Sequence, residues 1–288
     1  MNEQIRQGTY EDKDQVLEIS KTIWDGNDFI LRTIDEWLDP NSGYVAVLEA
    51  DGEIRAFSKL SFIPGGHGWL EGLRVKEEHR GKGYANKMTK HLLKRAKEIN
   101  LPSLRFACHA SNLGSIRSGE KYGFQRVGEY IFTMKRNFVP SLSVKKINTL
   151  TDGKEAFERL VCFKEYKENG GYLFGNRWKF IPCTANLINE YADAGKIIVT
   201  EDNKCMMIYD QDGEDLRILF YGGEIEGVRN LFMRIGKEAQ ARETKTMTLP
   251  GSRMNKIFME LGFHGRRSDS FEDKANVYLY EYPREQLK

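Results

Sequence analysis

The chain reads as an α/β protein whose mixed, mostly antiparallel sheet is flanked by helices, with the whole plan repeated in tandem. Three observations point there. Helical and strand periods alternate along the first half, a glycine-rich loop joins an apolar run to a helical stripe, and two helices end in matching "KYGF" and "ELGF" segments. The chain's 288 residues suit two domains of ordinary size.

The elements follow in order. "EDKDQVLEISKTIW" sets Val16, Ile19 and Ile23 on one helical face, and "NDFILRTIDEWL" does so with Ile30, Ile34, Trp37 and Leu38. "DPNSG" breaks the second helix. Three strands are predicted next: "YVAVLEA", "EIRAFSKLSFI" and "HGWLEGLRV". Asp51-Gly52 is a hairpin signal between the first two, and "PGG" at 64–66 separates the second from the third. Ala85, Met88, Leu92, Ala96 and Ile99 form a helical stripe, "SLRFACH" a strand, "NLGSIRSGEKYGF" a helix stopping at Gly123, and "QRVGEYIFTMK" closing strand structure. "NFVPSLS" reads as a linker, which puts a first domain at 1–138 and a second at 139–288. The second half repeats the plan: a helical "DGKEAFERLVCFKEYK", strands in "GKIIVTEDNKCMMIYD" and "EDLRILFYGG", the helix "VRNLFMRIGKEAQAR", the strand "TKTMTLPG", the helix "SRMNKIFMELGF" and a last strand "NVYLYEYP".

Composition narrows the function classes. Apolar residues make up 40% and charged residues 30%, as in a folded globular protein. Forty-four Lys plus Arg against 42 Asp plus Glu leave a net charge of +2, which gives no reason to expect nucleic acid or an acidic membrane as partner. No stretch approaches the roughly 18 apolar residues of a membrane span, and the polar N-terminus lacks a signal core, so a cytoplasmic protein is expected. Cys108, Cys162, Cys183 and Cys205 form no CxxC pair and no metal spacing with the five histidines. They read as reduced, mostly buried thiols, and no metal site is expected.

Any anion site must therefore be local, and "LRVKEEHRGKGYANKM" at 73–88 is the candidate, with a glycine-rich turn that merely caps a helix as the alternative. A loop of free backbone N–H groups ahead of a helix N-terminus attracts anions, because the amides and the helix dipole both favour negative charge. Gly81 and Gly83 let the backbone approach phosphate oxygens, and Arg80 and Lys82 add charge. Two familiar phosphate loops do not fit. A Walker loop needs Ser or Thr after Gly-Lys, but Gly83 follows Lys82. A dinucleotide fingerprint needs GxGxxG, but Asn86 stands in its last place.

Arg80-Gly81-Lys82-Gly83-Tyr84-Ala85 resembles the Arg/Gln-x-x-Gly-x-Gly/Ala motif of the GNAT acetyltransferase superfamily. "GLRV" ahead of it and "ASNLGSIRSGEKYGF" after it resemble the neighbouring segments of that family. The resemblance covers residues 3 to about 136, and the second half shares the shape without the signature. "EWLDPNSGYVAVLEADGEIRAF" with "EGLRVKEEHRGKGYA" is further similar to the histidine N-acetyltransferase branch.

The resemblance implies acetyl-coenzyme A as co-substrate, with one working site in the first domain and a degenerate copy in the second. It implies a primary amine of a small molecule as acceptor, with a protein or peptide amine as runner-up, and it allows a homodimer. The amides from Gly81 to Ala85 would hold the pyrophosphate, and the backbone of Leu73, Arg74 and Val75 would pair with the pantetheine arm. Asn112 would hydrogen-bond the cofactor near its thioester. Tyr84 could also wall the cofactor or simply pack at the helix start. Trp37 and Trp69 could line an acceptor pocket, but aromatics at these spacings are more often core.

Acetyl transfer needs a base, an oxyanion donor and a leaving thiolate. Glu71 is the candidate base, since it shares side-chain parity with Leu73 and Val75 on the fourth expected strand of the family pattern. His109 is the alternative, and His79 reads as a loop-surface residue. The backbone amide of Leu73 or Val75 would meet the oxyanion, a kind of contact worth about 3 kcal/mol. One departure stands out. The family often places a Tyr acid five residues before the Phe of Gly-Phe, and here Gly119 occupies that place. That favours, in part, a module that binds acyl-CoA without turnover.

Overall fold

The computed structural model describes residues 3–138, 146–239, 241–266 and 270–287. They group into two compact units: residues 3–108, 112–127 and 279–287 form the first, and 109–111 with 128–278 the second. The expected boundary at 138 differs from this division, because the chain passes into the second unit at 128 and returns to the first at 279. Most of "NFVPSLS" lies outside the described residues, but its Phe138 is core, with its ring 5.8 Å from that of Phe263.

In the first unit β1 (Glu3–Gln7) runs antiparallel to β2 (Gly43–Ala50), with α1 (Lys13–Lys21) and α2 (Ile30–Leu38) between them in sequence. The sequence pattern does not reveal β1, since "EQIRQ" is an edge strand of mostly polar residues with no apolar alternation. The two helices bury Val16, Ile19, Ile30, Ile34, Trp37 and Leu38 against Val45, Val47, Ile54 and Phe57, as their periodicity predicts. β3 (Glu53–Ile63) and β4 (His67–Val75) continue the antiparallel meander. Asp51 and Gly52 both take positive φ in the first hairpin, as an Asp-Gly turn requires.

α3 (Tyr84–Glu98) follows, then β5 (Leu104–His109), parallel to β4, and α4 (Leu113–Lys121). The buried face of α3 is Tyr84, Met88, Leu92, Leu93 and Ala96. Tyr84 thus takes the position expected of Ala85, one residue earlier in the same i, i+4 ladder. β6 (Gln125–Arg136) leaves the unit after its third residue.

The second unit opens with β7 (Ile147–Thr149), α5 (Gly153–Leu160) and α6 (Lys164–Glu168), where the pattern predicts one helical segment. β8 (Tyr172–Phe174), β9 (Phe180–Pro182) and α7 (Ala185–Asp193) fill a stretch for which it predicts no element. β8 and β9 are three-residue strands, too short for pattern to reveal. α7 is as long as α1, with Thr184 as its N-cap and Leu187, Ile188 and Ala192 buried, a helical signal that the expected pattern omits. β10 (Ile197–Thr200), β11 (Met206–Asp212) and β12 (Asp215–Gly222) form an antiparallel meander. α8 (Ile225–Ala239), β13 (Glu243–Thr248) parallel to β12, α9 (Asn255–Glu260) and β14 (Val277–Tyr282) complete the plan. Each unit therefore runs three antiparallel strands, a helix, a parallel strand and a helix.

The strand that follows that last helix is exchanged. Residues 128–136 of β6 belong to the second unit, antiparallel to β13. Residues 279–282 of β14 belong to the first, next to β5 in the strand order. There Tyr280 stacks on Phe106 at 4.9 Å and Glu281 accepts a hydrogen bond from Arg105 at 3.0 Å.

Candidate functional site

β4 breaks its own alternation where the site begins. Glu71 pairs with Lys59 and Arg74 with Phe57, so Gly72 and Leu73 together face the single residue Ser58. Such a bulge re-aims every side chain beyond it. Gly72 adopts φ +64, and a Cβ there would lie 2.0 Å from the Trp37 ring, so only glycine fits. The parity that groups Glu71 with Leu73 and Val75 is corrected by this bulge. Past Trp69 the strands also part: β4 pairs with β5 only at Gly68 and Trp69 among the described residues.

The half-buried Glu71 takes a hydrogen bond from the Ser61 hydroxyl through Oε1, and its backbone carbonyl accepts from Ser58 at 3.2 Å. Arg74 forks onto Asp28 at 2.9 and 3.0 Å, with the Asp28 side chain fully buried, and its guanidinium lies 4.6 Å from the Trp24 ring centre. Its side chain therefore ties β4 to the turn between α1 and α2, where Trp24, Asp25 and Gly26 are all left-handed. Trp37 and Trp69 are core residues.

The glycine-rich loop is open. Gly81 and Gly83 sit at φ +77 and +81, and a Cβ at either would meet nothing within 4 Å. Gly83 is the N-cap of the 15-residue α3, whose first-turn N–H groups have no partner within the helix. Arg80 is exposed and 3.7 Å from Glu77. Tyr84 points into the core and accepts a hydrogen bond from Arg55 at 3.0 Å, so it offers a ligand its backbone and not its ring. Ala85 is half-buried.

His79 is not the loop-surface residue expected. Its side chain is 13% exposed, with Nε2 3.4 Å from Glu53 and Nδ1 3.1 Å from the Lys82 ammonium. Glu53, Glu78 and His79 bring possible metal-ligand atoms within 4.8 Å of one another. The Lys76 ammonium bridges both carboxylates, at 3.0 Å to Glu78, and offsets one of their two charges. That contact, led by its hydrogen bond to Glu53, holds the Glu53 carboxyl below its ordinary range.

At the far end of β5, Asn112 caps α4, its Oδ1 accepting from the Ser115 amide at 3.1 Å. Gly119 is buried, and a Cβ would lie 2.5 Å from Phe106. The Phe106 ring occupies the space a phenol would need. Tyr122 donates to the Asn86 carbonyl at 3.2 Å. Tyr280 donates to Glu120 at 3.1 Å, and burial pushes its hydroxyl up to about 12. His109 belongs to the second unit. Its Nδ1 accepts from the Ser111 amide at 3.1 Å, and it lines a cavity of about 190 Å³ with Ile131, Glu272, Lys274 and Asn276. The structure therefore brings Leu73, Arg74, Val75, the 80–85 loop, Asn112 and Glu71 into one unit, and puts His109 in the other.

The second unit has its own loop between β12 and α8, with Gly223 and Glu224 in place of the glycine-cation run. The Gly223 amide donates to Glu165 at 3.3 Å, and Arg253 donates to the same carboxylate at 3.2 Å. These residues line a groove of about 700 Å³ with Arg159, Cys162 and Lys204. Cys162 is exposed, Cys183 half-buried, and Cys108 and Cys205 buried.

Residues 9–124 match the profile of the acetyltransferase (GNAT) family. Among curated proteins, the histidine N-acetyltransferases of Scomber australasicus and Oreochromis niloticus are each 32% identical over 83 residues. That stretch is 28% of this chain and only a quarter of each relative's length. Among solved structures, a GCN5-related N-acetyltransferase from Sphaerobacter thermophilus aligns over 97% of this chain and 95% of its own, with a TM-score of 0.66 at 13% identity. One from Kribbella flavida aligns over 97% and 70%, with a TM-score of 0.55 at 15% identity. At such identities the likeness is one of fold, and it runs through both units. Motif, profile and fold agree that residues 9–124 are a domain of the GNAT acetyltransferase family.

Proposed function

We propose that the first unit moves an acetyl group from acetyl-CoA directly to the primary amine of a small molecule, such as the α-amino group of a free amino acid. The observation that carries this reading is the open cradle at Gly81–Ala85. It lies at the start of a 15-residue helix and follows a bulged strand that has parted from its neighbour. The residues fit the group: two glycines leave room for phosphate oxygens, and the helix N-terminus and the Arg80 and Lys82 charges favour an anion.

In this reading the 81–85 amides hold the pyrophosphate. The β4 edge at Leu73, Arg74 and Val75, which β5 does not pair among the described residues, takes the pantetheine arm as it would an added strand. The Oδ1 of Asn112 serves its helix cap, so the cofactor contact comes from Nδ2. Glu71, oriented by Ser61, takes the proton of the acceptor amine directly or through a water. The amine nitrogen then bonds to the acetyl carbon, and the Leu73 amide steadies the oxyanion. As the carbon–sulfur bond breaks, the thiolate leaves and takes its proton from water, since Gly119 supplies none. His109 is the weaker base: accepting at Nδ1 puts its proton on Nε2, so the neutral ring presents a donor there.

One observation favours a second reading, an acyl-CoA-binding module without turnover: Phe106 fills the place of the acid. Thiol release from acetyl-CoA across a panel of amines separates the two. Turnover with free amino acids, histidine included, is expected. Turnover with peptide amines alone would move the acceptor to proteins, and CoA binding without turnover on any amine would establish the module.

A further inference from the structure

We propose that His79 is a positioning residue for the cofactor loop, holding the Lys82 ammonium at its mouth; this rests on the acetyl-CoA reading above. An ammonium can only donate, so the 3.1 Å contact from Lys82 Nζ makes His79 Nδ1 the acceptor. A neutral imidazole accepting at Nδ1 carries its proton on Nε2, and Nε2 faces the Glu53 carboxylate at 3.4 Å. The ring is thus read in one tautomer and one orientation, each nitrogen answering one charged neighbour. Glu53 is itself fixed by Lys76 and lies 3.7 Å from Arg55, whose other arm reaches Tyr84 at 3.0 Å. The ring of His79 packs edge-on to that of Tyr84 at 6.1 Å. Through His79 and Arg55, the β2–β3 hairpin end grips the loop at both Lys82 and Tyr84. A lysine with a free side chain would lose rotamer entropy on meeting a phosphate, and one already held loses less.

The test is a double-mutant cycle on the full chain, reading the Kd for coenzyme A by calorimetry in wild type, His79→Ala, Lys82→Ala and the double variant. Loss of an oriented charge contact predicts about a three- to ten-fold weaker Kd for His79→Ala. In the Lys82→Ala background the same change should cost nothing further. His79→Gln, which keeps one donor and one acceptor, should restore most of the affinity, a rescue that a merely space-filling histidine would not give. Thermal unfolding of each variant checks that the fold is retained. An unchanged Kd in His79→Ala, or equal losses in both backgrounds, overturns the role of His79 while the cofactor reading stands. Absence of coenzyme A binding by the wild type takes down both.

Discussion

The loops that open α3 and α8 stand at the same step of the same plan, yet one is open and the other is filled. Before α3, Gly81 and Gly83 face empty space beside Arg80 and Lys82. Before α8, a side chain of the protein already sits where an anion would: Glu165 takes the Gly223 amide and Arg253. The physics of the two sites is alike, since a backbone N–H at or just ahead of a helix start meets a carboxylate in one and stands open in the other. What differs is whether the anion is built in. In the second unit the counter-charge is a side chain of the protein itself.

That contrast can be broken at several points. Gly83→Glu brings a carboxylate into the open loop, so coenzyme A affinity should fall about 100-fold in calorimetry. Its left-handed φ should cost about 1–2 kcal/mol of stability besides, a loss small enough to leave the domain folded. Retained affinity would show that the first loop is not the cradle. Next in size, Gly119→Tyr attempts to restore the missing phenol and should instead destabilise by about 2–3 kcal/mol in denaturant. The reason is its Cβ, which meets Phe106 at 2.5 Å. The second repeat lacks the phenol too, with the buried Phe258 in the matching place.

Glu165→Gln should weaken the filled loop by about 1 kcal/mol of stability and leave the Kd for coenzyme A within about two-fold. A larger change in Kd would mean that the second loop contributes to cofactor binding. Smallest of all, iodoacetamide at a pH of about 8 should modify the exposed Cys162 first, as read by peptide mass, without affecting coenzyme A binding. Burial pushes the Cys108 and Cys183 thiols up to about 12, so both stay protonated at that pH and react slowly.

Much of the fold is legible in the sequence because it depends on apolar periodicity. The stripe of α2, the three strands of the first meander and the Gly-Phe helix ends all follow from residues that must be buried. The parts that escape are those whose signal is not apolar. β1 is polar and at an edge, and β8 and β9 are three residues each. The cradle itself can be read from glycines and cations, since chemistry and backbone freedom sit in the same six letters. The bulge at Gly72 cannot, because it depends on Trp37, from a different element, lying against it. His79 escapes for a similar reason: of its two partners, Lys82 is on its own loop but Glu53 is on another strand. The exchange of final strands leaves no trace in local pattern, because β6 and β14 look alike as strands wherever they pair.

The exchange also sets an order in time. The unit that carries the cradle takes its strand beside β5 from residues 279–282. Until the ribosome has made those residues, the first unit has every element of its loop and none of its closing edge. A chain released at residue 138 would lack Tyr280 against Phe106 and Glu281 against Arg105, and would hold a β6 without the β13 it pairs with. Folding of the first unit therefore waits on a contact between residues 176 apart in the chain, which places it among slow, late-completing topologies.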